Sequence, residues 1–384
     1  MTSCARCSTL PEPPSSAGTL YLAPPLAHTQ SNLRRILRER DIPFAEPGAR
    51  IVSIAFRPGR LEEILEAIAE GLGDAERRDT RSLILGEGSE PSLVDLMNTQ
   101  PLSMLVAQVQ ERWLTEMIRD RRLFTHFQPI VQAEDTREVH GYECLLRGRL
   151  ADGSLMAPTL MYDAARNADL LFQLDRAARL TAIREAVAHR VREKLFINFN
   201  PSSVYDPAFC LKSTISAIDE AGIEPSRVVF EVVESDQVDV DLLGIISSYR
   251  RAGFQVALDD LGAGYGSLNL LSSLQPDVVK LDMRLVRDVD SDRYKAGITS
   301  KLLEMAQKLG IATIAEGIES EAELDWFRNH GADYVQGFHI ARPSCPPPRP
   351  FAHAPGAVPP PPKCQIGPVR AARSAIRPGE PDLV

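Results

Sequence analysis

Between Leu123 and Pro343 the chain alternates short apolar runs with segments whose apolar residues have helical spacing. The eight apolar runs are HFQPIV, HGYECLLRG, LFINFN, VVFEVVES, QVALDD, DVVKLD, ATIAEGIE and DYVQGFHIARP. Alternation of this kind over roughly 220 residues predicts an α/β fold, a modified (β/α)8 TIM-like barrel. Only the polar turn QAEDTRE separates the first two runs, so we expect an opening hairpin and one antiparallel strand.

Shorter regions flank the predicted barrel (residues 123–343). Residues 18–90 hold three apolar runs and two amphipathic segments, which predict a small α/β domain that serves as a sensory or partner-binding module or as a structural cap. Residues 91–122 predict a linker helix broken near Pro101, with an apolar stripe buried against the next domain or a second subunit. We expect residues 1–17 to be flexible. The Pro-rich residues 344–384 predict a disordered tail, which could dock a protein partner.

Net charge, hydropathy and cysteine content exclude some classes of protein. A net charge of −9 argues against binding to polymeric nucleic acid, which needs a basic surface. No apolar run is long enough for membrane insertion. The six cysteines form no framework, which favours the cytoplasm. Cys4 and Cys7 form a C-x-x-C motif, but no second pair of cysteines follows at the spacing of a zinc site. We therefore expect unliganded thiols, with redox sensing as the alternative.

Polar residues stand at or near the ends of seven successive predicted strands. They are Glu143, Asn198, Glu231, Asp259 with Asp260, Lys280, Glu316 and Gln336. Because the carboxyl ends of barrel strands converge on one mouth, we expect these side chains to meet. Five carboxylates and an amide oxygen suit Mg²⁺ or Mn²⁺, whereas zinc would call for His or Cys.

The adjacent pair Asp259 and Asp260 needs a bend in its strand, because neighbouring side chains otherwise point to opposite faces. We expect the turn Gly262-Ala263-Gly264 to supply it. Taken alone, the pair could equally be a solvated cap. Within the full set, the carboxylates exceed what one ion needs, and two ions sharing Asp259 are the economical interpretation. Two neighbouring metal ions are typical of phosphoryl-transfer hydrolysis.

Two basic residues complete this hypothesis. Lys280 could orient or polarise the attacking water. The alternative role for this side chain is a salt bridge to Asp282 or Glu316. Arg147, four residues after Glu143, could hold a substrate phosphate with its planar fork.

The same residues carry a family resemblance. The chain resembles the EAL-domain family of cyclic di-GMP phosphodiesterases over about 220 residues. The matching segments are Phe127–Ile130, Glu143–Arg147, Asn198 in LFINFN, Glu231–Glu234, Asp259–Tyr265, Lys280–Asp282, Ala315–Glu319 and Gln336–Gly337.

The resemblance implies that the protein linearises cyclic di-GMP to 5′-pGpG with two Mg²⁺ or Mn²⁺ ions, commonly as a homodimer. It implies metal ligands at Glu143, Asn198, Glu231, Asp259, Asp260 and Glu316. It implies catalytic roles for Lys280, Glu316 and Glu143, and substrate contacts from Gln128, Arg147 and Gln336. It implies that Glu234 and Glu319 stabilise the loop after Asp260.

Several positions depart from the family pattern. Cys144 replaces Ala in the Glu-Ala-Leu triplet, Val233 replaces Thr, and Asn200 replaces Ser. The loop reads LGAGYG where FGTGYS is usual, which removes two hydroxyls. All metal-ligand positions are retained, so an active phosphodiesterase is the main hypothesis. A catalytically weak or inactive cyclic di-GMP receptor that signals through the linker helix is the alternative.

Overall fold

The computed structural model describes residues 9–11, 17–201, 207–233, 242–263 and 267–350, without the side chains of residues 207–210 and 267. Cys4, Cys7, Glu234, Gly264 and the chain beyond residue 350 lie outside the described residues. The described chain forms a small amino-terminal unit and a barrel. Within these ranges, no helix combines the length and the apolar character needed to cross a lipid bilayer.

The amino-terminal unit is a five-stranded antiparallel sheet with helices. Its strands are β1 (Gly18–Ala23), β2 (Ala45–Gly48), β3 (Ile51–Phe56), β4 (Arg81–Gly86) and β5 (Gln100–Pro101). Its helices are α1 (Ala27–Glu39), α2 (Arg60–Gly71) and α3 (Asp74–Asp79). The strand order is β2-β3-β1-β4-β5, with β1 antiparallel to both β3 and β4. The order of the first four strands and their helical crossovers match the ferredoxin-like arrangement.

The predicted linker helix is three short helices: α4 (Leu93–Met97), α5 (Leu102–Gln110) and α6 (Arg112–Arg119). The break at Pro101 was expected, but Pro101 itself pairs with Arg81 of β4. The apolar face of α5 belongs to the core of the amino-terminal unit, whereas that of α6 packs in a cluster with barrel residues. The stripe is therefore divided between two cores, which one straight helix could not reach.

The barrel closes as predicted. Its strands are β6 (Leu123–Gln132), β7 (Val139–Arg149), β9 (Lys194–Phe199), β10 (Val228–Val233), β11 (Gln255–Leu261), β12 (Val278–Leu281), β13 (Ala312–Ala315) and β14 (Tyr334–Val335); the short β8 (Leu155–Met156) extends the β7 edge. Strand β6 is antiparallel to both β7 and β14, and the other neighbouring pairs around the ring are parallel. The opening hairpin thus supplies the one reversed strand.

Helices cover the outside of the barrel. They are α7 (Pro158–Asn167), α8 (Leu171–Ala188), α9 (Pro207–Ala221), α10 (Leu242–Arg251), α11 (Ser267–Leu274), α12 (Met283–Val286), α13 (Arg293–Leu309) and α14 (Glu321–Asn329). A large apolar core lies between these helices and the strands. Because both faces of each parallel strand are covered, the strands read as continuous apolar runs in the sequence.

Short stretches at both ends of the described chain contact the barrel. Gln173 Nε2 donates a hydrogen bond to the Thr9 carbonyl (3.1 Å). Ser344 exchanges two backbone hydrogen bonds with Phe127 of β6 (2.8 and 3.1 Å). Residues 344–350 therefore extend the ordered barrel beyond the predicted boundary at Pro343.

Replacing Leu105 tests the division of the linker between two cores. Leu105 is 3% exposed in the amino-terminal core, so Leu105→Ala should cost about 2–5 kcal/mol in that unit's free energy of unfolding. The matched control Leu96→Ala, at a residue 56% exposed in α4, should change it by less than about 0.5 kcal/mol. Urea unfolding followed by circular dichroism measures both, and equal effects would contradict the assignment of α5.

Candidate active site

The interior of the barrel fixes which side chains can meet at its mouth. One apolar residue from each of six strands fills this interior: Ile130, Phe196, Val229, Ala257, Val278 and Ile314. Side chains two residues apart on a strand share a face. On the five parallel strands of this set, the residues two positions further on are Asn198, Glu231, Asp259, Lys280 and Glu316. The sequence-predicted polar residues therefore form the next layer above the apolar interior.

Lys280 lies at the centre of this layer and is 1% exposed. Its Nζ is 2.6 Å from Glu231 Oε1 and 2.6 Å from Glu316 Oε1. It is also 3.1 Å from Asp259 Oδ1 and 3.9 Å from Glu143 Oε2. The salt bridge to Glu316 that the sequence left open is present, but Lys280 shares it with three further carboxylates. The side chain of Asp282 instead accepts a hydrogen bond from the Arg284 amide, at the start of α12.

Two amide side chains hold Glu143, and a third supports one of them. Gln336 Nε2 donates to Glu143 Oε2 (2.6 Å) and to Gln128 Oε1 (3.1 Å), and Asn198 Nδ2 donates to Glu143 Oε1 (3.3 Å). Gln128 Nε2 donates in turn to the Ala341 carbonyl (3.4 Å). Both oxygens of Glu143 therefore have donors, which fixes the orientation of its carboxylate.

Asp259 and Asp260 reach the same site through a distortion inside β11. Asp260 has a positive φ of 56°, and the pairing register of β11 with β12 shifts between Leu258 and Leu261. A left-handed residue within a bulge re-aims its own side chain, and the carboxylate of Asp260 thereby lies beside those of Asp259 and Glu316. The predicted bend is thus real, but it begins at Asp260, before the Gly-rich turn. Asp260 also donates its backbone N–H to Asp259 Oδ1 (3.0 Å).

The crowding of acids alters their proton affinities. Burial, reinforced by the neighbouring Asp259, raises the pKa of Asp260 to about 6. Burial also raises the pKa of Glu316 to about 8 and that of Glu231 well above its usual range, although Lys280 opposes both shifts. Burial alone would lower the pKa of Lys280, but the surrounding carboxylates, Asp259 foremost, raise it overall. The site therefore contains more buried carboxylates than one ammonium group, that of Lys280, can neutralise.

This arrangement fits divalent cations with oxygen ligands. One carboxylate oxygen each from Asp259, Asp260 and Glu316 lie within 4.8 Å of one another. Glu231 is fully buried, and its Oε2 atom has no hydrogen-bond donor among the described residues. A buried carboxylate oxygen without a donor is costly unless a cation satisfies it. The donor set is one that Mg²⁺ and Mn²⁺ prefer.

Two cavities adjoin at Glu143, which lines both. One, of about 310 Å³, has a lining that includes Glu143, Asp259, Asp260, Lys280, Glu316, Gln336 and Phe338. The other, of about 480 Å³, lies beyond Asn198 and is lined mostly by apolar atoms. Arg147 lies in this second cavity, where its Nη1 donates to the Leu146 carbonyl (2.7 Å). The second cavity is therefore a mostly apolar neighbour of the acidic one.

Known proteins of similar sequence indicate the family of this chain. Residues 111–343 match the family model described as EAL domain. The chain therefore belongs to the EAL-domain family. A probable cyclic di-GMP phosphodiesterase of Escherichia coli K12, PdeG, is 28% identical over 239 residues, covering 61% of this chain and 47% of that protein. This chain thus spans about half the length of that relative.

Solved structures match in fold. A standalone EAL protein from Vibrio cholerae O395, in its cyclic di-GMP-bound form, aligns with a TM-score of 0.53 and 34% identity, over 58% of this chain and 92% of that one. Klebsiella pneumoniae BlrP1, in a manganese and cyclic di-GMP complex, aligns with a TM-score of 0.52 over 85% of this chain and 96% of that one. Its identity is 22%, so this second likeness concerns the fold alone.

Some predicted residues of the EAL domain lie apart from the central cluster. The carboxylate of Glu319 lines the first cavity and pairs with Arg287 (2.5 Å), so it ties the segment after β13 to the residue after α12. Glu234 and the loop residues 264–266 lie outside the described residues. Cys144, the departure from the family triplet, is buried with its thiol pKa raised by burial.

Sequence reasoning missed part of the second cavity. Tyr162 and Arg166 of α7 line it, as does Asp175 of α8, which forms a buried ion pair with Arg179. Acidic and basic residues four apart on a helix are the sequence signal for such a pair, but they are common on exposed helix faces too. Only the packing of α7 and α8 against β7 brings these residues to the cavity.

Lys280→Met tests whether the ammonium compensates the buried acids. In metal-free protein the change leaves several carboxylates without their cation, so we expect a loss of about 3–5 kcal/mol in the free energy of unfolding. The control Lys301→Met removes an exposed ion pair with Glu304 and should cost less than about 1 kcal/mol. Thermal unfolding in the presence of EDTA compares the two. Equal losses would show that Lys280 is not the main counter-charge.

Gly337→Ala tests the close packing that positions Gln336. A Cβ at Gly337 would overlap the backbone oxygen and nitrogen of Ile318, whose N–H donates to the Gln336 carbonyl (3.0 Å). We expect a loss of about 1–3 kcal/mol or more. The control Gly297→Ala, in α13 with open space at the Cβ position, should instead stabilise by about 0.5–1 kcal/mol. Thermal unfolding of both variants measures these changes in stability. An unchanged melting temperature for Gly337→Ala would contradict the close contact with Ile318.

Proposed function

We propose that this chain hydrolyses cyclic di-GMP to linear 5′-pGpG in a reaction that depends on two divalent ions, Mg²⁺ or Mn²⁺. The observation that carries the proposal is the convergence of Glu143, Glu231, Asp259 and Glu316 on one buried point of the barrel mouth. The phosphodiesterase named among the relatives supports the choice of substrate.

The ligand assignment comes from the family resemblance, and the proximity of one oxygen each from Asp259, Asp260 and Glu316 supports it. Glu143, Asn198, Glu231 and Asp259 would hold one ion, and Asp259, Asp260 and Glu316 the other. When bound, such ions activate a water molecule and stabilise negative charge on a phosphoryl group. The excess of carboxylates on the described inner face is consistent with two cations.

The chain's own residues supply orientation and proton handling. Gln336 and Asn198 hold the Glu143 carboxylate in one orientation. Lys280 Nζ would donate a hydrogen bond to the attacking water and fix its position. Glu316, whose Oε1 lies 2.6 Å from Lys280 Nζ, would be placed to accept the proton of that water. Arg147 would hold the part of the substrate that enters the second cavity.

A receptor function is the second candidate. The observation that favours it is the position of Lys280, whose ammonium is already paired with Glu231 and Glu316, two of the carboxylates that an ion would need. The consecutive helices α5 and α6 also connect the two cores, which provides a route from ligand binding to the amino-terminal unit. We also propose that the chain forms a homodimer. A further protein partner would bind the amino-terminal unit or the tail.

Glu143→Gln tests catalysis while preserving the size of the side chain. Full-length protein with Mg²⁺ or Mn²⁺ should convert cyclic di-GMP to pGpG, and the variant should lose at least about 100-fold in kcat because a ligand is neutralised. The control Glu134→Gln, at an exposed residue, should retain full activity.

Chromatography of the nucleotides measures the product, and calorimetry measures binding. Intact cyclic di-GMP at high concentrations of the parent protein would overturn the enzymatic proposal. Tight binding without product, unchanged by Mn²⁺, would establish the receptor function instead.

A further inference from the structure

A second group of metal-binding side chains lies away from the barrel mouth. Glu185 and His189 are four residues apart on α8 and its C-cap, so they lie on one face. The segment after the barrel brings Cys345 against them. His189 Nε2 is 3.3 Å from Cys345 Sγ and 3.7 Å from Glu185 Oε2. One ligand atom from each of the three residues lies within 4.8 Å of the other two.

Neighbouring contacts fix the backbone that carries Cys345. We call residues 344–350 the C-terminal strap. Its start pairs with Phe127 of β6, whose ring also packs edge-on against His189. Further along, Tyr142 donates its hydroxyl hydrogen to the Pro348 carbonyl (3.2 Å), and Arg349 pairs with Glu193 (2.6 Å). The thiol is therefore held in place from both sides.

The spacing of the three atoms suits zinc. Zinc bonds of about 2.3 Å to sulfur and about 2.0–2.1 Å to nitrogen or oxygen, at a tetrahedral angle, imply separations of about 3.5 Å for S···N and about 3.3 Å for N···O. The observed 3.3 and 3.7 Å lie within a few tenths of an ångström of these values. A small rotation of the side chains would reach them.

The chemistry and burial also favour a metal. Thiolate, imidazole and carboxylate are the ligands that zinc takes in proteins. Cys345 is 2% exposed, whereas the His189 and Glu185 side chains are 27% and 16% exposed. The cluster thus opens to solvent on the helix side, where a water could complete the coordination.

We propose that Glu185, His189 and Cys345 form a zinc site that joins the C-terminal strap to α8. Binding would convert the Cys345 thiol to a thiolate and release its proton to solvent. Helix α8 ends at the amino-terminal side of the strands, away from the mouth, so this site is distinct from the carboxylate cluster and does not depend on the phosphodiesterase proposal. An ion at this position would stabilise the fold and fix where the tail leaves the barrel.

Cobalt(II) replaces zinc as a spectroscopic probe in the test. Full-length protein carrying Cys4→Ser and Cys7→Ser, so that the C-x-x-C cannot compete, is stripped of metal and titrated with Co²⁺ in excess Mg²⁺. We expect a thiolate-to-cobalt charge-transfer band in the near ultraviolet that saturates at one equivalent. Zinc should abolish the band by displacement.

Variants assign the band to the cluster. Cys345→Ser should remove it, and His189→Gln or Glu185→Gln should weaken Co²⁺ binding by about tenfold or more, since even indirect partners of a metal cost that much. The matched controls are Cys364→Ser, a cysteine of the tail, and His330→Gln, a histidine that likewise follows the last residue of its helix. Both should retain the band.

Melting curves separate misfolding from loss of the site. Zn²⁺ should raise the melting temperature of the parent and of both controls but not that of Cys345→Ser, and all variants should give the same circular dichroism spectrum. Absence of the band at one equivalent of Co²⁺ would overturn the proposal and leave a thiol–imidazole hydrogen bond. Persistence of the band in Cys345→Ser would overturn it as well.

Discussion

The barrel mouth depends on how one buried ammonium group balances several buried carboxylates. Lys280 contacts Glu231, Glu316 and Asp259 within 3.1 Å, and it has almost no exposure to water. Carboxylates are not buried in this number without compensation, because desolvation would favour their protonated forms. The same negative charge that makes the layer costly to fold suits it to binding cations. Stability and chemistry therefore rest on the same contacts.

The two ends of the barrel carry different ligand chemistry. The mouth offers carboxylate and amide oxygens, which suit hard cations, and its apolar floor begins one layer below. The cluster of Glu185, His189 and Cys345 offers oxygen, nitrogen and sulfur, which suit zinc. Because the ligand types differ, a single protein can distinguish the two kinds of ion without any contact between the two sites.

The linker gives the amino-terminal unit a direct mechanical connection to the second cavity. Helix α5 is part of the first core, and α6 follows it after the single residue Glu111. Met117 of α6 packs in one cluster with Met161 of α7, the helix that also supplies Tyr162 and Arg166 to the cavity wall. A rotation of α5 would therefore move α6 and shift its packing against α7. This arrangement connects changes of packing in the first unit to the wall of the second cavity.

The sequence by itself determined the barrel, its reversed first strand and the layer of polar residues at its mouth, because alternation and two-residue spacing are local properties of strands. Glu143, Glu231, Asp259 and Lys280 could be identified in this way. Only the tertiary structure decided that Lys280 is shared among the acids and that the bend falls at Asp260. It also divided the linker between two cores and brought Cys345 to His189 across 156 residues. Such contacts depend on how distant elements pack, and no local pattern of residues encodes that packing.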